Sequence, residues 1–184
     1  MAKYVHRTPV RDAIGKEYTA AMGRYVAKLA VLGYQALQYA YNEGHAEGDK
    51  PKKKDENGKV IADGKWRHRS RNLHDSFASA VYVKGVLQED TIRFVGPELS
   101  DDYFGREEAR RYFREPEVDV SGDVCLLCIA AVYYAQLLEE GRHRGGYKIK
   151  VISGASDYIN AHIWELEDEV FGIKNIRAVT GTYD

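Results

Sequence analysis

Cysteine is scarce: Cys125 and Cys128 are the only two in 184 residues, too few and too close together for a disulfide framework. Their scarcity favours a reducing compartment. Long apolar runs are missing as well. No stretch approaches the roughly 18 to 20 residues that span a bilayer, and Met1-Ala2-Lys3-Tyr4-Val5-His6-Arg7 has no apolar core of a signal peptide. The expectation is a protein made and folded in a cytoplasm, without a membrane partner. Charge of one sign is also lacking, since 27 basic residues face 28 acidic ones and leave −1. A whole-surface affinity for nucleic acid is therefore unsupported. What remains is 44% apolar and 30% charged residues with a mean hydropathy of −0.51, the composition of a soluble globular chain rather than a disordered one. The length predicts a single domain, 1–184, with a core of its own.

A long helical pattern runs from about Pro9 to Glu43, with Thr8 as its cap and Pro9 in its first turn. At 100° per residue, Ile14, Tyr18, Ala21, Met22, Tyr25, Leu29, Leu32, Ala36 and Ala40 share one face, with Lys16, Arg24, Lys28 and Gln35 opposite. Such a helix would be roughly 50 Å long, more than the roughly 40 Å diameter of a globule of this size. Either it breaks near Gly23 or Gly33, or it projects and meets a partner. Gly15 and Gly33 lie on one edge of the apolar face, where another element can approach closely.

Residues 44–71 read as a basic loop insertion. Asn57-Gly58 suggests a small hairpin tip leading into Lys59-Val60-Ile61. From Lys50 to Arg71 nine Lys or Arg face three acids, a local +6. A solvated loop is the favoured reading of this segment. The alternative is a phosphate-contacting surface of Lys52, Lys53, Lys54, Arg67 and Arg69, with Trp66 stacking on a base. Residues 72–96 then predict a short helix over Asn72–Ala78 and a hairpin of Ser79–Leu87 with Thr91–Gly96, turning at Gln88-Glu89-Asp90. The densely charged stretch 97–122 is expected to lie outside the core, with one helix around Gly105–Phe113.

In the last third, 123–172, Val124–Ala131 is apolar at nearly every position, as a strand covered on both faces should be. Val132–Glu140 turns helical and stops at Gly141, Tyr147–Ile152 alternates as a strand, and a final helix runs from about Ser156 to Phe171. Its core face is Ile159, Ile163, Leu166 and Val170. Trp164 and Phe171 fall on the opposite side, which makes them, with Tyr18 and Tyr25, the candidate partner interface. Residues 173–184 form a terminal strand or arm. The fold class expected from these elements is α+β, with a long N-terminal helix, a mostly antiparallel sheet of about four strands and a C-terminal helix packed on it.

Chemistry-bearing motifs are weak. Cys125 and Cys128, three apart on a strand, point to opposite faces and lack further zinc ligands. His162 and Glu165 lack a third ligand, His74-Asp75-Ser76 are sequence neighbours that cannot form a relay, and Gly64-Lys65 lacks the P-loop spacing. Glu139, Glu140 and His143 could supply a carboxylate and a base, but no convergent third group can be named. No catalytic residue, metal or cofactor is expected.

Tyr134-Ala135-Gln136-Leu137-Leu138-Glu139-Glu140-Gly141, following a buried strand, resembles the Tyr-Ala-x-x-x-Glu-x-Gly pattern of the tail-completion or head-tail joining family of long-tailed bacteriophages. Upstream, Arg71-Asn72-Leu73-His74-Asp75-Ser76-Phe77 is similar to that family's short helix before the first sheet strand. Thr91-Ile92-Arg93-Phe94-Val95-Gly96 is similar to its Val-Gly strand, and Tyr158–Val170 takes the place of its closing helix. The likeness covers roughly residues 70–172 in pieces, interrupted by 97–122. It implies a structural, noncatalytic virion protein of the neck or tail. Such a protein acts as a homo-oligomeric ring that joins the head connector or adaptor to the tail terminator or tail tube, with DNA in the channel. Tyr134, Ala135, Glu139 and Gly141 are its family-motif residues and have a structural role.

Overall fold

The structure, a computed structural model, describes residues 2–8, 15–43, 46–47, 53–54, 60–61, 71–96, 104–142 and 148–172. The elements in chain order are β1 (Ala2–Thr8), α1 (Gly15–Glu43), β2 (Ala46–Glu47), β3 (Lys53–Lys54), β4 (Val60–Ile61), α2 (Arg71–Ser76), β5 (Phe77–Val83) and β6 (Val86–Phe94). They continue with α3 (Gly105–Arg114), β7 (Val124–Ala130), α4 (Ala135–Glu139), β8 (Lys148–Ile149) and α5 (Val151–Phe171). The main sheet is antiparallel and four-stranded, in the order β1-β7-β5-β6. The chain is α+β, with α1 and α5 packed on the sheet. No helix among the described residues is long and apolar enough to cross a membrane.

β7 (Val-Cys-Leu-Leu-Cys-Ile-Ala) is central and buried at all seven positions, because helices cover both faces of the sheet. Val124, Leu126, Cys128 and Ala130 face a core shared with Tyr25, Leu29, Leu32, Ala36 and Ala40 of α1 and Ile159 and Ile163 of α5. Cys125, Leu127 and Ile129 face a second core with Tyr82 of β5 and Ala109, Tyr112 and Phe113 of α3. The two cysteines therefore do point to opposite faces, and both are buried and outside any disulfide. Burial pushes the Cys128 thiol far above its ordinary value.

The second core corrects the reading of 97–122 as a segment outside the core. The helix expected around Gly105–Phe113 is α3; Ala109, Tyr112 and Phe113 recur at helical spacing on one side of it and charged residues occupy the other, so dense charge hid only its apolar face. The Tyr82 hydroxyl donates to the Phe113 carbonyl at 2.6 Å and ties sheet to helix. Arg106 and Arg110 lie 4.9 and 5.3 Å from the centre of the Phe94 ring.

The hairpin turns four residues earlier than the sequence suggested. Lys84 (φ 50°) and Gly85 (φ 79°) both take positive φ, the two-residue turn that matches strand twist, between the paired Val83 and Val86. Gln88-Glu89-Asp90 instead belongs to an irregularity in the β5–β6 ladder, where the Thr91 hydroxyl accepts from Val81 N–H at 2.9 Å in place of a backbone carbonyl. β1, an edge strand that the sequence reading did not anticipate, pairs with β7 along its whole length.

α1 runs unbroken through Gly23 and Gly33. A Cβ on Gly33 would lie 2.7 Å from Leu126 Cδ1 and 3.1 Å from Ser79 Cβ, so this glycine lets the helix sink onto the sheet. α5 packs antiparallel to α1, with Tyr25 meeting Phe171 and Lys28 meeting Glu169. The first ten residues of α1, 15–24, thus run past the last residue of α5. Gly172 (φ 65°) closes α5 with its N–H on the Asp168 carbonyl. β3 pairs antiparallel with β4 on either side of the expected hairpin tip, and Asn57-Gly58 themselves lie outside the described residues.

Candidate assembly surface

The motif fragments come together at one end of the sheet. α2 passes directly into β5, and the Ser76 hydroxyl closes its last turn on the Leu73 carbonyl at 2.7 Å. Val95 N–H returns to the Phe77 carbonyl at 3.0 Å, and Ala131 N–H reaches the Ser76 carbonyl at 3.1 Å. A Cβ on Gly96 would lie 2.1 Å from Asp75 Oδ1. Glycine at 96 is therefore sterically required where the chain leaves β6 against α2.

Tyr134 precedes α4 and packs against the first core, and Ala135 is buried. Gly141, with φ 69°, ends the turn in the left-handed conformation that favours glycine. Glu139 does more than end a helix. Its Oε1 accepts the Ile152 N–H at 2.5 Å and its Oε2 the Ser153 hydroxyl at 3.1 Å, so it satisfies the first turn of α5 from another segment. This contact is why α5 begins at Val151 rather than near Ser156, so the strand expected over Tyr147–Ile152 is, among the described residues, Lys148–Ile149 of β8. Burial pushes the Glu139 carboxyl above its ordinary range, opposed by the backbone N–H groups it accepts. Neighbouring Glu140 is solvated, and the Gln136 amide at 2.7 Å holds its carboxyl lower. Glu139 and Glu140 thus face different surroundings; His143 lies outside the described residues.

Of the predicted interface residues, Tyr25 is corrected outright. Its side chain is 0% exposed, its ring is 5.1 Å from that of Phe171, and its hydroxyl donates to Glu167 at 3.3 Å. Phe171 is likewise half-buried on Tyr25 rather than left in water, because the antiparallel helix pair brings both rings to one level. Trp164 is 50% exposed on α5. Tyr18 lies on α1, but its side chain falls outside the described residues. So do Lys52, Trp66, Arg67 and Arg69, while Lys53 and Lys54 are placed only as the backbone of β3.

Other exposed apolar residues were missed. Val31 (47% exposed) and Tyr39 (45%) stand on the outer side of α1, and the Tyr39 ring lies 5.0 Å from that of Tyr158. Tyr158 stacks on His162 at 4.1 Å, whose Nδ1 is 2.8 Å from the Tyr158 carbonyl. Val31, Tyr158 and His162 line a shallow groove of about 320 Å³ between α1 and α5, with Lys28, Glu165 and Glu169 also on its walls. The cross-helix level that unites these residues needs the α1–α5 pairing, which no local pattern states. On the far side of the sheet, α3 presents Arg110, Arg111 and Arg114 with Glu107 around a depression of about 250 Å³. Among the described residues, no three His, Cys, Asp or Glu side chains are grouped to hold a metal ion. No family model, curated protein or solved structure matches this chain.

Proposed function

We propose that this chain is a noncatalytic structural subunit of a bacteriophage neck. It assembles as a ring of copies of itself and joins the head connector to the tail terminator or tail tube, a tail-completion or head-tail joining protein. One observation carries the reading. The sequence fragments similar to that family occupy successive joints of one fold: α2 entering β5, the Val95-Gly96 end of β6 resting on α2, α4 following the central strand, and α5 capped by Glu139 of the motif. Exposed apolar side chains on α1 and α5 supply surface that a partner subunit would cover. Depleting the chain during infection is the test. The expected product is filled heads and free, unjoined tails, rescued by supplying the chain; joined, infectious particles made without it would overturn the reading.

A second reading, that the chain is a nucleic-acid-binding module using the basic loop 50–71, is favoured by a single feature, the local +6 of that segment. That segment would contact DNA passing through the channel. Neutralising Lys52, Lys53, Lys54, Arg67 and Arg69 should then abolish a steeply salt-dependent affinity for duplex DNA; affinity that survives neutralisation or ignores salt removes it.

A further inference from the structure

The ring reading leaves open which surfaces meet. On that reading, we propose that the groove between α1 and α5 of one copy receives α3 of a second copy, as the repeating contact of the ring. α5 carries five acids (Asp157, Glu165, Glu167, Asp168, Glu169) and no Lys or Arg, whereas α3 carries four Arg against two Glu. The two helices lie on opposite faces of the sheet. A contact between them is therefore head-to-tail, leaves each copy one unused α3 and one unused groove, and can close into a ring.

The side chains also match in register. Phe104, 61% exposed, with Glu107, Arg111 and Arg114, forms a stripe along α3 at steps of three, four and three residues. Tyr158, His162, Glu165 and Glu169 form a stripe on α5 at steps of four, three and four. These spans are about 15 and 16 Å. Laid parallel, Phe104 meets the Tyr39–Tyr158 pair, Glu107 meets His162, Arg111 meets Glu165 and Arg114 meets Glu169. The Phe104 contact is apolar on apolar, and the Arg111 and Arg114 pairs are opposite in charge. Laid antiparallel, Phe104 would meet Glu169. The intrachain pairs Arg114–Glu89 (3.3 Å) and Lys28–Glu169 (2.6 Å) are exposed and easily exchanged for partners on the next copy.

The experiment uses the full chain and two charge reversals, Arg111→Glu with Arg114→Glu, and Glu165→Arg with Glu169→Arg. Each is followed by sedimentation velocity over a concentration series at low and high salt, after circular dichroism has established native melting. The wild type should associate beyond a dimer, more weakly as salt rises. Each reversal alone should raise the dissociation constant at least about tenfold. An equimolar mixture should reassemble, because the acidic α3 of one variant then fits the basic groove of the other. Glu165→Arg alone, which keeps the Lys28–Glu169 pair, serves if the double variant melts abnormally and should weaken association in the same direction. The proposal is overturned by a wild type that stays monomeric throughout, by reversals that associate like the wild type, or by a mixture that fails to reassemble. If the groove belongs to a different neck protein, the reversals leave self-association unchanged, and particle joining in infected cells still decides the neck reading separately.

Discussion

Alanine at Gly23 and at Gly33 should have opposite effects, although both lie in the interior of α1. At Gly23 nothing lies within 4 Å of the added Cβ. Only helix propensity changes there, a gain of about 1 kcal/mol. At Gly33 the same gain is opposed, because the Cβ would sit 2.7 Å from Leu126 Cδ1 and 3.1 Å from both Cβ and Oγ of Ser79. Leu126 and Ser79 are both fully buried, so neither can swing into solvent. Overpacking of this kind costs about 1–3 kcal/mol and outweighs the propensity gain. Thermal denaturation followed by circular dichroism reads the difference. For a chain of this size 1 kcal/mol moves the midpoint by roughly 2–4 °C, so Gly23→Ala should melt higher than wild type and Gly33→Ala lower. Equal stabilisation by both substitutions would refute the close approach of α1 to β5 and β7.

Tyr82→Phe removes the hydroxyl that satisfies the Phe113 carbonyl and should cost about 1–3 kcal/mol in urea unfolding, with the denaturant slope unchanged. Glu139 provides a pH test: its folded pKa is raised by burial above the ordinary 4.5, so the protonated form is favoured by folding and stability from this group is lost as pH rises above 4.5 through the folded value. Glu139→Gln should flatten that part of the stability profile; an unchanged profile would refute the assignment. Both thiols should resist a disulfide reagent at pH 8 in the native protein and react fully in urea, since Cys125 and Cys128 are buried and the Cys128 thiol is pushed far up.

Elements with a clean periodic signal were legible from sequence. The apolar face of α1, the core face of α5 at Ile159 and Ile163, and the central position of β7 all follow from side-chain period and the length of apolar runs. What escaped depends on contacts between distant segments. β1 has Lys3, His6 and Arg7 among its residues, and its partner β7 lies more than a hundred residues away, so nothing local marks Ala2–Thr8 as a strand. α5 starts early because Glu139 supplies a cap from α4, and α3 joins the core because Tyr112 and Phe113 find the outer face of the sheet. The candidate surface was legible to a lesser degree. Trp164 was found from its helical angle, but Tyr25 and Phe171 cover each other across the helix pair, and Val31, Tyr39 and Tyr158 share a surface only once α1 and α5 are paired.

Electron microscopy of purified particles carrying an antibody-detectable tag on this chain tests the account most directly. A ring of label at the junction between head and tail is the predicted result. Particles whose necks carry none of it would contradict the proposal that this chain builds the joint.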